Sequence, residues 1–252
     1  MKKLQIIKSN ISIGSYTTFI DELILLSQQK DSSYVCICNV HMLIEASDSQ
    51  EFSQIVNQAD IVSPDGKPVA KGLEWLYGVK QPRVAGMDLM GSLFKRIQND
   101  RLSVFLFGST KEVLDQIKQK AKTEFPKINI SGSLAPPFRE LSVSEKSEII
   151  TTINGHNPDF VFVALGCPKQ ERWMAEYKER INSCMIGLGG AFPVYAGMVE
   201  RSPDWMQNNG LEWFYRLYKE PKRLWKRYFY TNSLFIILFI KQYLLQKLFK
   251  KS

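Results

Sequence analysis

An aspartate followed by a glycine is the residue of this 252-residue chain best placed for proton transfer. Asp65 lies in the segment SPDGKPV, between a predicted strand and a predicted helix, and Gly66 permits a tight turn that would leave the carboxylate in a cleft. There it would act as a general base toward an attacking hydroxyl group. The alternative is structural, because an aspartate at this point would equally cap the next helix or close an Asx turn.

Two glycine-containing turns follow predicted strands further along the chain. GCPKQERW, residues 166–173, opens a helix with a proline near its first turn, so its backbone N–H groups could receive a phosphate. Gln170 within this segment could hydrogen-bond a sugar or a base. GLGGAFPVYAG, residues 187–197, is a second glycine-rich loop, but neither segment matches the G-x-G-x-x-G or Walker patterns.

Four cations lie within a dozen residues near the C-terminus: Arg216, Arg223, Lys226 and Arg227. If one helix continues through Pro221, Arg216 and Arg223 share a face of it. No two aspartates of the chain are separated by one residue, so the D-x-D pair with which many sugar-nucleotide transferases hold a divalent metal is missing. A diphosphate substrate would instead be neutralised by these cations or by helix N-termini. The alternative is a solvated or lipid-facing basic surface.

Other catalytic and metal chemistries are disfavoured by the remaining residues. His41 and His156 stand apart in the sequence, so no Ser-His-Asp or Cys-His arrangement is recognisable. The four cysteines lack a metal-binding spacing and predict reduced, mostly buried thiols. The N-terminal MKKLQIIKSN has too short an apolar stretch for a signal peptide. We therefore expect a cytoplasmic protein that uses no metal or other cofactor.

The elements that must position these residues form an alternating pattern of strands and helices. Continuous apolar runs such as VFLF and FVFVALG are typical of strands covered by helices on both faces. The fold class predicted is α/β, with a largely parallel sheet flanked by helices. The predicted strands are Tyr34–Cys38, Ile61–Ser63, Val104–Phe107, Ile128–Ser131, Phe160–Leu165 and Met185–Leu188.

Polar or glycine-containing segments follow five of these runs. Asn39 and His41 follow the first, Asp65 and Gly66 the second, and further glycine turns follow the third, fifth and sixth. Ligands of such sheets bind beyond the carboxyl ends of the strands. The sequence therefore predicts that these segments surround one site.

The charge distribution divides the chain near residue 200. Residues 1–200 carry 22 Lys and Arg against 22 Asp and Glu, whereas residues 201–252 carry 11 against 3. The predicted domains are an α/β catalytic core over 1–200 and a basic helical appendage over 201–252, which carries the whole excess charge of +8. Such an excess implies a localised anionic partner.

The end of the appendage carries a membrane-binding pattern. Its run LFIILFI, followed by KQYLLQKLFKKS, is too short for a membrane span and is typical of a basic amphipathic helix in the membrane interface. The alternative is a helix docked on the core or on a second subunit. Pro221 marks a break or a helix start.

Seven segments in a fixed order carry a resemblance that covers nearly the whole chain: NVHML, SPDGKPV, RVAGMDLM, LFGS, PDFVFVALGCPKQERW, GLGGAFPVYAG and RSPDWMQNNGLEWFYRLYKEPKRLWKRY. Together they resemble the WecG/TagA/CpsF family of bacterial glycosyltransferases. The resemblance implies an inverting, metal-independent enzyme that moves a sugar from a UDP-sugar to a polyprenyl-diphosphate-linked acceptor. It also implies an appendage that helps to close the active site and attaches the enzyme peripherally to the inner face of the cell membrane.

The resemblance also implies roles for individual residues. Asp65 corresponds to the proposed catalytic base of the family. The residues implied to contact the donor sugar or line the active site are Asn39, Arg83 and Gln170, and those implied to meet diphosphate groups are Arg216, Arg223, Lys226 and Arg227.

Two positions depart from the family pattern. Ile37 stands where relatives often have a threonine, and Pro193 stands in the glycine-rich loop where many have an acidic residue. The donor sugar therefore need not be the N-acetylmannosamine of well-known relatives, and glucose, glucuronate or another hexose stay open.

Other readings of the whole chain also remain. One is a nucleotide-dependent α/β enzyme of another class, and the other is a lipid- or nucleic-acid-binding module, of which the apolar LFIILFI favours lipid. We expect no nucleic-acid partner, and we leave open a homo-oligomer formed through the core.

Overall fold

A computed structural model describes residues 1–249 of the chain. Eight strands form a two-stranded antiparallel hairpin, β1–β2, and a six-stranded sheet in the order β4-β3-β8-β7-β5-β6. The pairs β3–β8, β8–β7, β7–β5 and β5–β6 are parallel. The strands are β1 Lys3–Ile6, β2 Ser9–Ser12, β3 Ser33–Cys38, β4 Ile61–Pro64, β5 Ser103–Gly108, β6 Asn129–Leu134, β7 Phe160–Ala164 and β8 Cys184–Gly187.

Helices connect and flank the strands. The first nine are α1 Tyr16–Gln28, α2 Val40–Asp48, α3 Gln50–Gln58, α4 Lys67–Tyr77, α5 Gly86–Asn99, α6 Lys111–Glu124, α7 Val143–Gly155, α8 Lys169–Tyr177 and α9 Ala191–Tyr195. The last three are α10 Asp204–Asn208, α11 Glu212–Lys219 and α12 Pro221–Phe249. The α/β fold class predicted from the sequence is confirmed.

The central strands are buried along their whole length. Every residue of β3, β5, β7 and β8 is buried, which explains why their sequences are continuously apolar rather than alternating. Two predicted strands are displaced, β8 by one residue at each end and β6 by up to three. β6 begins at Asn129 and extends to Leu134, because this strand pairs with β5 alone and is only partly buried, so its sequence has a weak apolar signal.

The hairpin β1–β2 was not among the predicted strands. Each of its strands has four residues, and both mix polar and apolar side chains. Its fold depends on tertiary contacts: the backbone N–H of Val62 donates to Ser12 Oγ at 3.0 Å, and the backbone N–H of Asn10 donates to Asn57 Oδ1 at 2.7 Å. Contacts between residues about 50 positions apart leave no periodic pattern of apolar residues in a short window of sequence.

The chain divides into two compact units. The first contains residues 1–16, 37–85 and the part from 201 onward, and the second contains residues 17–36 and 86–200. The first unit thus joins the C-terminal helices to the N-terminal hairpin and to the segment around β4. The predicted functional division into a core over 1–200 and an appendage over 201–252 stays a prediction, and residues 250–252 of that appendage lie outside the described residues.

Within the first unit, α12 lies against α2 and α4. The hydroxyl of Tyr230 donates to Asp48 Oδ2 at 2.9 Å, and Gln242 Oε1 accepts from the backbone N–H of Ile7 at 2.7 Å. The ring of Phe239 covers Gly72, where an added Cβ would lie 3.0 Å from the ring. One face of α12 is therefore docked on its own unit. None of the helices over residues 1–249 is both long and apolar enough to cross a membrane.

The predicted helical character of the appendage is confirmed, and of the two possibilities left open at Pro221, a break or a helix start, the structure has a helix start. α11 ends at Lys219, and Pro221 is the first residue of α12, where its missing N–H and fixed φ are tolerated. Arg216 and Arg223 consequently lie on two different helices rather than on one shared face. The break arises at Glu220, whose backbone is not helical (φ −132°, ψ 57°).

Candidate active site

Asp65 lies in the turn between β4 and α4. Its backbone N–H donates to the carbonyl of Cys38 at 2.9 Å, which ties the end of β4 to the end of β3. Gly66 adopts φ +89° and occupies the N-cap position of α4. The cap is therefore the glycine, and the Asp65 carboxylate is left for other contacts. The Asp65 residue as a whole is partly exposed.

Asn39 binds the Asp65 carboxylate from the end of β3. Its Oδ1 accepts from the backbone N–H of Met42 at 3.2 Å, so Asn39 is the N-cap of α2. Because Oδ1 faces the helix, Nδ2 is left to donate to Asp65 Oδ2, at 3.4 Å. Two neighbouring strand ends thus deliver an amide donor and a carboxylate to one point, as the sequence pattern predicts for Asn39 and Asp65.

Arg83 is held near the same point by the loop after α4. The backbone N–H of Val84 donates to the carbonyl of Pro64 at 2.9 Å, and Ser63 Oγ donates to the carbonyl of Val84 at 2.6 Å. Both bonds fasten the loop to β4, one residue before Asp65. Burial raises the pKa of Asp65, and the positive charge of Arg83 is one of the smaller effects that oppose this rise.

The pKa of Asp65 is raised to about 6. Burial is the largest cause, because it removes water from the charged form, and the negative charge of Glu212 adds to it. Arg216, the hydrogen bond from Asn39 and Arg83 act in the opposite direction. Asp65 is therefore mostly ionised at pH 7 and is a stronger base than an ordinary aspartate, which suits proton removal near neutral pH.

The four basic residues of the appendage differ in their surroundings. Arg216 on α11 is exposed, and its charge reaches Asp65. On α12, Arg223 Nε pairs with Glu220 Oε2 at 2.5 Å, while Lys226 and Arg227 lie over the rings of Trp225 and Tyr228. Of these four predicted diphosphate contacts, Arg216 on α11 is the one whose charge lowers the pKa of Asp65, and the other three lie on the following helix.

Gln170 lies in the second unit, at the start of α8, and is buried. Its Nε2 donates to Glu171 Oε1 at 2.6 Å and to the carbonyl of Gly187 at 3.2 Å, and its Oε1 accepts from the backbone N–H of Gly166 at 3.2 Å. These bonds tie the turn after β7 to the end of β8. Both amide protons are used, so the amide keeps one lone pair on Oε1 for a further partner.

The glycine-rich loop after β8 is shaped around this amide. A Cβ on Gly187 would lie 2.9 Å from Gln170 Nε2, and one on Gly189, whose φ is +46°, would lie 3.0 Å from Gln170 Oε1. The glycines are therefore required by close approach and by backbone conformation rather than by a dinucleotide fingerprint.

Glu171 beside Gln170 is fully buried. Burial raises its pKa to about 7, and the hydrogen bond from Gln170 opposes that shift. No charged group contributes to the shift. Its only sequence signal is its position next to Gln170 in the segment KQER.

Sequence reasoning missed two residues of the first unit that contact Arg83. Glu212 Oε2 lies 2.6 Å from Arg83 Nη1, and Gln207 Oε1 accepts from Arg83 Nη2 at 3.3 Å. Both are more than 120 positions from Arg83 along the chain, so no local pattern could pair them. Over residues 1–249, no group of three or more His, Cys, Asp or Glu side chains is placed to hold a metal ion.

Comparison with known proteins places the chain in a family. Residues 4–248 match the model of the family described as "Glycosyl transferase WecG/TagA/CpsF family". The match covers nearly all of the chain, so the protein belongs to this family and is a glycosyltransferase, as the ordered segments predict.

Two curated relatives extend the comparison. Both are named N-acetylglucosaminyldiphosphoundecaprenol N-acetyl-beta-D-mannosaminyltransferase. The first, from Bacillus subtilis (strain 168), is 33% identical over 216 residues, which cover 85% of this chain and 82% of the relative. The second, from Bacillus spizizenii (strain ATCC 23059 / NRRL B-14472 / W23), is 32% identical over 212 residues, covering 84% of this chain and 77% of the relative.

Proposed function

We propose that this glycosyltransferase moves a sugar from a UDP-sugar to a polyprenyl-diphosphate-linked N-acetylglucosamine, with inversion at the anomeric carbon and without a metal ion. The names of the two relatives support the acceptor, because both specify N-acetylglucosaminyldiphosphoundecaprenol. They also make N-acetylmannosamine the first donor sugar to test. Glucose and glucuronate follow, since Pro193 departs from the acidic residue of many family members.

The environment of Asp65 is the observation that carries the proposal. A partly exposed aspartate with a pKa near 6, an amide donor on one carboxylate oxygen and two arginines whose charge acts on it is suited to deprotonate a hydroxyl beside a diphosphate. Asp65 takes the proton of the acceptor hydroxyl as that oxygen bonds to the anomeric carbon. The bond from this carbon to the UDP oxygen breaks in the same displacement, so UDP leaves and the configuration inverts.

Cations of the first unit would neutralise the diphosphate groups. The charge of Arg216 on α11 lowers the pKa of Asp65, and the other three cations, Arg223, Lys226 and Arg227, lie on α12. Charge on the leaving diphosphate increases in the transition state, so prepositioned guanidinium groups stabilise it more than the ground state. Asn39 and Arg83 are assigned to the active site beside Asp65. The contact predicted between Gln170 and the donor would use the remaining lone pair of its Oε1.

The outer face of α12 fits a peripheral attachment to the inner face of the cell membrane. Large apolar side chains on this helix are at least half exposed: Trp225, Phe229, Ile236, Ile237, Ile240, Leu244 and Leu248. Lysines at 222, 226, 241 and 247 are exposed on the same helix. An apolar stripe beside cations binds the headgroup region of an anionic bilayer.

Calorimetric titration with UDP, with and without EDTA, tests the donor class and the metal first. We expect binding that survives EDTA. Product formation is then measured with a short-chain polyprenyl-diphosphate N-acetylglucosamine and a panel of UDP-sugars, and the anomeric configuration of the product is read by NMR. The absence of product from every UDP-sugar, or dependence of turnover on added metal, would contradict the corresponding part of the proposal.

Vesicle sedimentation tests the membrane face. Ile237→Asp combined with Leu244→Asp should release the protein from phosphatidylglycerol vesicles, because the charges would enter the apolar region. Phe138→Asp is the matched control, since Phe138 is an exposed aromatic residue of the second unit. Equal binding of the double variant and the control would exclude α12 as the membrane face. Self-association stays a prediction, which analytical ultracentrifugation measures directly.

A further inference from the structure

Glu212 and Arg83 form a shielded ion pair in the first unit. Their side chains are 21% and 12% exposed, and Glu212 Oε2 lies 2.6 Å from Arg83 Nη1. Exposed ion pairs contribute little to stability, because water and mobile side chains compete with the contact. A pair this shielded is instead geometrically constrained, since moving either partner leaves a poorly solvated charge behind.

Gln207 fixes the same guanidinium from a second helix. It is buried, its Nε2 donates to the carbonyl of Ser202 at 2.6 Å, and its Oε1 accepts from Arg83 Nη2. The backbone beside Arg83 is fastened to β4 through Val84. Residues of α10 and α11 thus hold the Arg83 guanidinium, and the loop after α4 holds the Arg83 backbone.

Helix capping alone does not account for Glu212. An acidic residue in the first turn of a helix is favoured by the helix dipole, and Glu212 is the first residue of α11. That effect needs no partner and operates with the side chain in water. The Glu212 carboxylate is instead mostly covered and contacts a guanidinium from a distant part of the chain.

We propose that Glu212 is a positioning residue of the transferase, whose carboxylate fixes the Arg83 guanidinium beside Asp65 and sets the electrostatic field at that carboxylate. The assignment rests on the proposed function for the identity of the reaction, but its geometry can be tested without substrate. Glu212 touches neither donor nor acceptor in this role and acts through Arg83 and Asp65.

The charges around Asp65 support the direction of the effect. Glu212 raises the pKa of Asp65, whereas Arg216, Arg83 and the Asn39 amide lower it. Removing Glu212 therefore leaves two cations unopposed near Asp65, which makes that carboxylate a weaker base. It also removes one side-chain partner of Arg83, so the guanidinium samples orientations that do not serve the reaction.

NMR titration of carboxyl-labelled protein gives the direct test. The Asp65 signal, assigned with Asp65→Asn, should titrate at lower pH in Glu212→Gln than in the unaltered chain. The matched control is Glu74→Gln, which removes an acidic partner of Lys71 on α4, in the same unit. An Asp65 titration that is the same in Glu212→Gln and in Glu74→Gln would overturn the proposal. The result stands whether or not any UDP-sugar is a substrate.

A kinetic cycle tests the coupling to Arg83. We expect Glu212→Gln to lower kcat/KM about tenfold in the unaltered chain and much less in an Arg83→Ala background, because coupled residues are non-additive. The acidic limb of the pH profile should move to lower pH in Glu212→Gln. Additive losses with an unmoved limb would show a merely structural role.

A more conservative variant, Glu212→Asp, provides a test if Glu212→Gln does not fold. Glu212→Asp keeps the negative charge and withdraws it by one methylene group. The pH at which Asp65 titrates should therefore stay close to that of the unaltered chain. The Arg83 guanidinium should be held less firmly, which is measured as faster exchange of its side-chain N–H protons. If Glu212→Asp instead matches the unaltered chain in both signals, contact with Arg83 is not required and the proposal fails.

Discussion

Two carboxylic acids with raised pKa values lie in the two units, and their surroundings differ. Asp65 in the first unit keeps part of its surface exposed and is surrounded by an amide donor, two arginines and a glutamate, and its pKa is about 6. Glu171 in the second unit is fully buried beside a neutral amide, and its pKa is about 7. Burial is the largest cause of the shift at both.

The comparison shows that a raised pKa does not by itself identify a catalytic base. A base must reach a proton on the substrate, and the reaction must be stabilised by charges around it. Asp65 has access and cations, whereas Glu171 has neither access nor a charged partner. Glu171 is better understood as part of the bonded network that holds the turn after β7 against the end of β8.

The largest expected difference between the two acids is in turnover. Asp65→Asn should lower kcat by about three orders of magnitude, because the amide cannot accept the proton of the acceptor hydroxyl. UDP affinity should be kept, since the variant removes no cation. Initial rates and UDP calorimetry on the same preparation measure both. Retained turnover would remove Asp65 from the role of base and dissolve the contrast with Glu171.

The second expected effect is on the pH profile. With Asp65 as base, kcat/KM should fall about tenfold for each pH unit below about 6, because the protonated carboxyl is inactive. The acid limb should lie well above the range of an ordinary aspartate. If the acid limb stays in place in Glu171→Gln and shifts with substitutions around Asp65, Asp65 is the base and Glu171 is not. If the acid limb shifts in Glu171→Gln instead, Glu171 is the group that titrates in the reaction.

The ionisation of both acids should affect the free energy of unfolding in the same direction as pH changes. The folded protein binds more protons than the unfolded chain between pH 3.8 and about 6 at Asp65, and between 4.5 and about 7 at Glu171. The free energy of unfolding therefore falls as pH rises through each window and levels off above it. One pKa unit corresponds to about 1.4 kcal/mol, so Asp65→Asn and Glu171→Gln should each stabilise by up to about 3 kcal/mol at pH 8.

Denaturant titrations at pH 8 and at pH 4 check this effect. The gain of each variant over the unaltered chain should be full at pH 8 and small at pH 4, which lies near the lower end of both windows. A Glu171→Gln variant that is less stable at pH 8 would show that Glu171 is charged and partnered in the folded protein. The two acids would then differ in ionisation as well as in access.

The smallest expected effect is that of Glu171→Gln on turnover. The glutamine is nearly isosteric and can still accept from Gln170 Nε2, so kcat/KM should change by less than about threefold, or about 0.7 kcal/mol. Assays at pH 7 with saturating acceptor measure it beside Asp65→Asn. A loss comparable to that of Asp65→Asn would assign Glu171 a direct part in the reaction.

Much of the fold follows from local pattern. The strands β3, β4, β5, β7 and β8 lie within one residue of the predicted bounds, because buried strands leave continuous apolar runs in the sequence. The displaced β6 and the unpredicted hairpin have few buried apolar residues, so their boundaries depend on pairing partners and not on their own composition.

The candidate site was predicted in part. Asn39 and Asp65 follow neighbouring strands, and their contact at 3.4 Å was foreseeable once the strands were recognised as adjacent. Arg83 entered through the family resemblance alone. Its partners Gln207 and Glu212 had no signal, because each contributes one polar atom to a contact that closes a loop of more than 120 residues.

The appendage shows the same division. Its helices, its basic charge and the role of Pro221 as a helix start were readable from residue types, since these are local properties. Arg216 and Arg223 were expected on one face only if a single helix continued through Pro221, and this condition is not met, because the backbone at Glu220 leaves the helical conformation. That the apolar run of α12 both docks through Phe239 and leaves Ile237 exposed was decided by packing.

The sequence by itself determined the α/β class, the family, the position of Asp65 in a glycine turn and the basic C-terminal region, because hydrophobic periodicity, turn residues and charge act over a few neighbouring residues. The tertiary structure decided which polar groups meet: Glu212 on Arg83, Asn39 on Asp65 and Gln170 on the carbonyl of Gly187. It also decided the basicity of Asp65, since desolvation and the field of distant charges depend on how the whole chain packs around one carboxylate.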